Sequence, residues 1–248
     1  MTGPERPGVT QLRDRLREAI VRGELGPDTA STQTQLADAM GVSRTPLREA
    51  LRMLELEGLI VRESNRRFRV AGFSLDDLEE LYVMRISLEV SALRITMPAF
   101  THADHAELEG LLAQMARFAH VNDWRGFEEP HRAFHMRLVE GAGSRLAEQI
   151  RRLWDHATRY RTAYAMLMGG DDDEDDTWGL RRAEHRVILD AIEAEDIGRS
   201  CGVLASHYAR TALDIAQRLD PANPMGRLRT TLESQTGSPE LLDVRAIR

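Results

Sequence analysis

The chain has 248 residues and 42% hydrophobic content, enough for one large or two modest domains with real cores. It has no apolar run near the ~20 residues that span a bilayer, and its lone cysteine, Cys201, excludes an internal disulfide framework and fits a reducing, cytoplasmic setting. The formal charge of −7 divides into +2 over residues 1–70, where 12 arginines face 10 acids, and −9 over residues 71–248, where 21 face 30. A weakly basic head on an acidic body suits a protein that meets polyanions at one end only, although the excess alone does not establish such a partner.

Residues 1–9 are polar with two prolines and read as a disordered lead. From Thr10 to Arg22, Leu12, Leu16, Ala19 and Ile20 recur at helical spacing, and Gly23 follows as a stop. Gly26-Pro27-Asp28 marks a turn, after which Ser31 or Thr32 can cap a second helix. In the stretch Leu36 to Leu59, LADAMGVSRTPLREALRMLELEGL, two short apolar stripes meet at a tight turn. Leu36, Ala37 and Met40 form the first; Leu47, Leu51 and Leu54 form the second. Gly41 can take the left-handed conformation that ends one helix, Ser43 is placed to cap the next, and Pro46 is tolerated in its first turn. Arg44, Thr45 and Arg48, with Ser43 beside them, lie off the stripe near the N-terminal end. That is where a recognition helix presents side chains to base edges and phosphates. On pattern alone, these two helices could equally be an ordinary helical hairpin.

After Gly58, IVRESNRRFRV reads as two short strands around a polar turn at Ser64-Asn65, a β-hairpin wing. Arg62, Arg66, Arg67 and Arg69 make it the most basic ten residues of the chain, with Arg66 and Arg67 the candidate phosphate contacts. These elements define a head over residues 10–71, followed by a linker over 72–75. The body, residues 76–220, reads as an all-α antiparallel bundle. Its first helix runs from Leu75 to Met97, ahead of Pro98, and further helices are expected at 103–121, 124–140, 144–168, 178–194 and 197–219. GGDDDEDDTWG, Gly169 to Gly179, carries six consecutive acids and reads as a self-repelling loop, since consecutive acids lack the spaced ligands of a calcium loop. Residues 221–248 read as a tail that is disordered on its own and docks through Leu241 and Leu242.

His131 and His135 are four apart on one expected helix and so share a face, a good bidentate seat for a divalent transition metal. His185 and His207 lie on two later helices at a spacing that can bring them level across an antiparallel hairpin. Each histidine alone is as readily a satisfied helix residue, and eight in 248 is no enrichment. Arg85 can form an i,i+4 salt bridge with Glu89 or neutralise a bound carboxylate through its fork. Arg159 and Arg161, in the RYR stretch, are further candidates for that role.

The string VSRTPLREALRMLELEGLI resembles, almost residue for residue, the winged helix-turn-helix of the GntR family of bacterial transcription regulators. The motifs LEELYVMRISLE, HRAFHMRLVEGAGSRL, EHRVILDAIEAED and SHYARTAL, in that order, are similar to the FCD ligand-binding domain of the family's FadR branch. Together the resemblance covers roughly residues 10–220. It implies a three-helix head with a β-hairpin wing, a helical effector-binding body, and a homodimer on a palindromic operator. It also implies a metal held by an aspartate and three histidines. His135, His185 and His207 match the histidines, and His131 stands in the aspartate's place. Either an imidazole replaces the carboxylate, giving a four-nitrogen site suited to zinc or nickel, or the metal is lost and His131 packs or binds the effector. The head departs from the family where Arg67 stands at the expected wing glycine and Thr34 at a common arginine.

The function this implies is a DNA-binding transcription regulator, a repressor, controlled by a small carboxylate metabolite. The alternative is a sensor in which the metal ion itself is the signal. A metal-dependent hydrolase or oxygenase is disfavoured, because Glu128 and Glu129 precede His131 rather than sitting between the ligands as a general base would, and a DNA-binding head would have no role.

Overall fold

The computed structural model describes residues 8–63, 67–121, 123–168 and 177–236. The lead as far as residue 7, the Ser64-Asn65 turn with Arg66, the acidic run 171–176 and the chain beyond Thr236, including Leu241 and Leu242, lie outside the described residues. The described residues form two units: those up to Ser74 together with Thr158–Ala163, and the remainder from Leu75.

In the first unit, α1 (Val9–Val21), α2 (Gln33–Met40) and α3 (Arg44–Leu56) pack over a three-stranded antiparallel sheet. Its strands are β1 (Ala30–Thr32), β2 (Ile60–Arg62) and β3 (Arg67–Val70), in the order β1-β3-β2. The expected hairpin is present, with Ile60 opposite Val70 and Arg62 opposite Phe68. β1 was not anticipated: it pairs Ala30 with Arg69 and Thr32 with Arg67. Three residues are too few to show alternation, and Thr32 ends the strand while also capping α2. Its hydroxyl accepts from the Gln35 amide, and the Gln35 side chain accepts from the Thr32 amide, a reciprocal capping box.

Gly41 closes α2 with φ +64°, a left-handed conformation costly for residues with a Cβ. Ser43 occupies the N-cap of α3 with extended backbone, but its side chain makes no cap hydrogen bond, so only the position of that expected cap holds. The core joins Leu16 and Ile20 of α1 to Ala37, Leu47, Leu51 and Leu54, and to Ile60, Phe68 and Val70 of the sheet. Truncating a fully buried leucine such as Leu47 to alanine costs about 2–5 kcal/mol by removing its contacts and leaving a cavity.

The second unit is all-helical: α4 (Leu75–Thr96), α5 (His102–His120), α6 (Trp124–Val139), α7 (Ser144–Met168, which lends Thr158–Ala163 to the first unit), α8 (Thr177–Glu193), α9 (Ile197–Leu219) and α10 (Gly226–Thr236). The expected boundaries of α4 to α9 agree to within a residue or so. α9 is buried on nearly all sides, and its small residues Ser200, Gly202, Ala205, Ser206, Ala209 and Ala212 let neighbouring helices approach closely. α4 and α8 flank it with Leu78, Ile86, Val90, Leu93, Ile188 and Leu189.

The expectation of a disordered tail from residue 221 is corrected by α10. Met225, Leu228 and Leu232 are buried, and the helix packs against α4 and α9. Arg227 binds Asp76, Glu79 and Glu80 at 3.0, 2.8 and 2.8 Å, and the Leu228 amide donates to Glu79. Two prolines and a polar composition hide this helix, because its order comes from partners on α4 rather than from its own propensity.

Candidate DNA-binding surface and buried histidine site

Because α3 buries Leu47, Ala50, Leu51 and Leu54, its opposite face is left to solvent. Ser43, Arg44, Thr45 and Arg48 are all exposed there. Gln33 Nε2 donates to the Arg44 carbonyl at 3.1 Å, bracing the first turn of α3 against α2. Arg52 extends the stripe by one more turn and was missed by sequence reasoning, although its four-residue spacing from Arg48 was a usable signal. A groove lined by Arg48, Glu49, Arg52, Glu55, Leu56 and Arg62 runs beside it.

The arginines of the wing are not equivalent. Arg62 is paired with Glu55 at 2.9 Å, and Arg69 with Glu63 and Asp28, whereas Arg44 and Arg67 make no ion pair among the described residues. Exposed pairs of this kind are worth about 0–1 kcal/mol, so a phosphate competes for the paired arginines at small cost and for Arg67 at none. Thr34, at the family's arginine position, is exposed on α2.

In the second unit, α6 supplies His131 and His135, α8 supplies His185 and α9 supplies His207. All four are buried, and one ligand atom from each lies within 4.8 Å of the others. His135 Nε2 is 3.2 Å from His185 Nε2. The rings of His135 and His207 stack with centroids 5.3 Å apart, and Trp154 of α7 packs 5.0 and 5.1 Å from His135 and His131. Burial above all, with the crowding of His131, His185 and His207 and the charge of Arg85 acting in the same direction, holds the His135 pKa well below the ordinary 6.5. This imidazole is therefore neutral at neutral pH, the state in which it can donate a lone pair.

Polar partners surround the histidines, and sequence reasoning missed them. Tyr208 Oη lies 2.9 Å from His135 Nδ1 and donates to Glu89 at 2.5 Å. Glu184 contacts His207 Nδ1 at 2.7 Å and accepts from Arg210 at 2.6 Å. Burial alone would raise the pKa of Glu184, but the hydrogen bond and charge of His207, followed by Arg210, bring it down to about 2. Glu128 Oε1 lies 3.8 Å from His131 Nδ1.

Arg85 forms the anticipated i,i+4 ion pair with Glu89. Its Nε donates to Glu89 at 2.7 Å, with both residues buried, and its guanidinium lies 4.2 and 4.7 Å from the ring centroids of Tyr208 and Trp154. Arg85 Nη2 and the hydroxyl of Tyr82, one turn earlier on α4, are buried with no hydrogen-bond partner among the described residues. Arg159 and Arg161 belong to the other unit. Arg159 Nη2 donates to the Ala71 carbonyl, and Arg161 Nη2 donates to Thr158 Oγ1 at 2.7 Å.

Four buried imidazoles converging on one point form a donor set for a divalent transition ion such as zinc, nickel, cobalt or copper, and not for the oxygen-seeking magnesium or calcium. The residues present fit such an ion, and His131, His135, His185 and His207 would hold it.

A winged helix-turn-helix joined in one chain to a helical body with a buried donor site defines a DNA-binding transcription regulator. Residues 9–70 match the gntR family of bacterial regulatory proteins, and residues 80–210 match the FCD domain. The chain belongs to the GntR family, in the form that carries an FCD domain. It is 27% identical over 220 residues to the HTH-type transcriptional repressor GlaR of Escherichia coli (strain K12), covering 84% of this chain and 95% of that protein. It is 29% identical over 195 residues to the uncharacterized HTH-type transcriptional regulator YdhC of Bacillus subtilis (strain 168), covering 77% and 83%. Among solved structures, E. coli McbR/YncC superposes with a TM-score of 0.73 at 22% identity over 86% of this chain and 98% of that one, a likeness of fold. The family is one of transcription regulators rather than enzymes, and no described helix is long and apolar enough to cross a membrane.

Proposed function

We propose that the protein is a cytoplasmic repressor that binds a palindromic operator as a homodimer and is controlled by a small carboxylate held beside a metal ion. In this reading residues 10–71 read DNA through Ser43, Arg44, Thr45 and Arg48, with Arg66 and Arg67 on phosphates. Residues 76–220 hold zinc or nickel through His131, His135, His185 and His207. The observation that carries the reading is the convergence of those four buried histidines. The buried Arg85 supports a carboxylate effector, because its unspent Nη2 can donate to an anion. Support for repression comes from relatives: GlaR is named a repressor, and so is the probable D-xylose utilization operon regulator of Paenarthrobacter nicotinovorans, 28% identical over 201 residues.

A second reading follows from the donor count. Four nitrogens fill a tetrahedral ion, leaving no position for a carboxylate. A regulator of that kind responds to the ion itself, whereas an ion of higher coordination number, such as octahedral nickel, keeps positions open.

The test is DNA binding by fluorescence anisotropy, on duplexes selected from a random library, with chelated protein, with metal-loaded protein, and with metal plus small carboxylates. The proposal expects a carboxylate to change the affinity of the loaded protein by about 5–150-fold, the usual range of allosteric coupling. A change on metal addition alone, with every carboxylate silent, would favour the sensor. Failure to select any duplex sinks both.

A further inference from the structure

The hydrogen bonds behind the histidines have a direction, and that direction can be worked out by counting protons. Glu89 is ion-paired with Arg85 through Oε1 and offers Tyr208 only lone pairs at Oε2. The single phenolic proton of Tyr208 therefore points to Glu89, and its oxygen faces His135 Nδ1, 2.9 Å away, as an acceptor. His135 must then carry its proton on Nδ1, which leaves a bare lone pair on Nε2. Glu184, ion-paired with Arg210, likewise accepts from His207 Nδ1 at 2.7 Å, so in the neutral form that a metal ligand requires the lone pair of His207 is on Nε2. Bare His135 Nε2 lies 3.2 Å from His185 Nε2, so it accepts there from an Nε2–H of His185, and a bound cation would take the place of that proton.

We infer that Tyr208 and Glu184 are positioning residues that lock His135 and His207 as Nδ1-protonated tautomers with Nε2 directed at the metal position. The inference rests on the metal-binding reading of the four histidines. The same two chains place a carboxylate one hydrogen bond behind His207 and, through the phenol, two behind His135. The four imidazoles bring no charge of their own, and Glu184 and Glu89 supply it from the layer outside. Histidine ligands held by carboxylates in this way are more basic and lose less freedom on binding.

The experiment measures zinc affinity of the full chain by competition with a chromogenic chelator, for wild type, Tyr208→Phe and Glu184→Gln. Asp190→Asn, at an exposed acid on the same helix as Glu184, serves as the charge control. Tyr208→Phe and Glu184→Gln are expected to weaken zinc binding about 10–100-fold, while Asp190→Asn matches wild type. Long-range 1H–15N spectra of zinc-loaded wild type provide a readout independent of any variant's folding, and should show Nδ1–H on both His135 and His207. Zinc affinities unchanged in both variants, or Nε2–H on either ring, overturn the positioning role while leaving the metal site standing. Wild type that binds no zinc overturns the metal reading, and this inference with it.

Discussion

In the N-terminal unit the core and the working surface are different residues, whereas in the C-terminal unit they are the same ones. α3 buries its leucines and exposes Arg44 and Arg48; the histidines of the body, with Arg85, Tyr208 and Trp154, are buried side chains that also fill space. Substitutions at Arg44 and Arg48 should therefore leave the stability of the head unchanged. The body cannot lose one of the four histidines without also losing packing, and this difference decides how each site must be tested.

The sharpest separation is expected from Arg44→Ala combined with Arg48→Ala. A bidentate arginine–base contact is worth about 1–3 kcal/mol, so the double variant should lose operator affinity by well over tenfold while its melting temperature stays at the wild-type value. An equal loss of melting temperature would mean that these arginines are structural and would break the comparison from the head side. Leu47→Ala is the converse. It should cost about 2–5 kcal/mol in urea unfolding and impair DNA binding only through the fraction unfolded.

On the body side, pH is the probe. In chelated protein His135 stays neutral to a pH well below 6.5, whereas an unfolded histidine takes up its proton near that value. The unfolded state therefore binds more protons below 6.5, and the urea midpoint should fall as the pH is lowered through that window towards the depressed folded value. A flat midpoint there would mean that the cluster is more solvated than its burial indicates. A smaller effect is expected from Arg67→Ala, which should reduce the salt dependence of DNA binding by about one phosphate contact without altering sequence preference. The smallest is Arg227→Ala. It frees α10 from Asp76, Glu79 and Glu80 and should expose residues 226–236 to faster amide exchange with little change in the global midpoint.

What the sequence could and could not reveal follows the same division. The stripes Leu36-Ala37-Met40 and Leu47-Leu51-Leu54, the stop at Gly41 and the helices of the body were legible, because each is a periodicity carried within one segment. The four histidines were legible in part: spacing marked His131 and His135 as a pair on one face, but only the resemblance joined them to His185 and His207 on helices far along the chain. Glu89 was legible as the partner of Arg85, but Tyr208 and Glu184 were not legible as partners of the imidazoles, since nothing local distinguishes a carboxylate that holds an imidazole from one on a solvated face. β1 and α10 escaped for a related reason: three residues of strand and a short, proline-flanked helix acquire their structure from Arg69 and Glu79 on other elements.

Elemental analysis of untagged, purified protein beside its His185→Ala variant tests the central claim most directly. The account expects about one zinc or nickel ion per wild-type chain, as four imidazoles complete one site, and none in the variant. Metal-free wild type, even after incubation with excess zinc, would contradict it and leave the four histidines as packing around a pocket served by Arg85 alone.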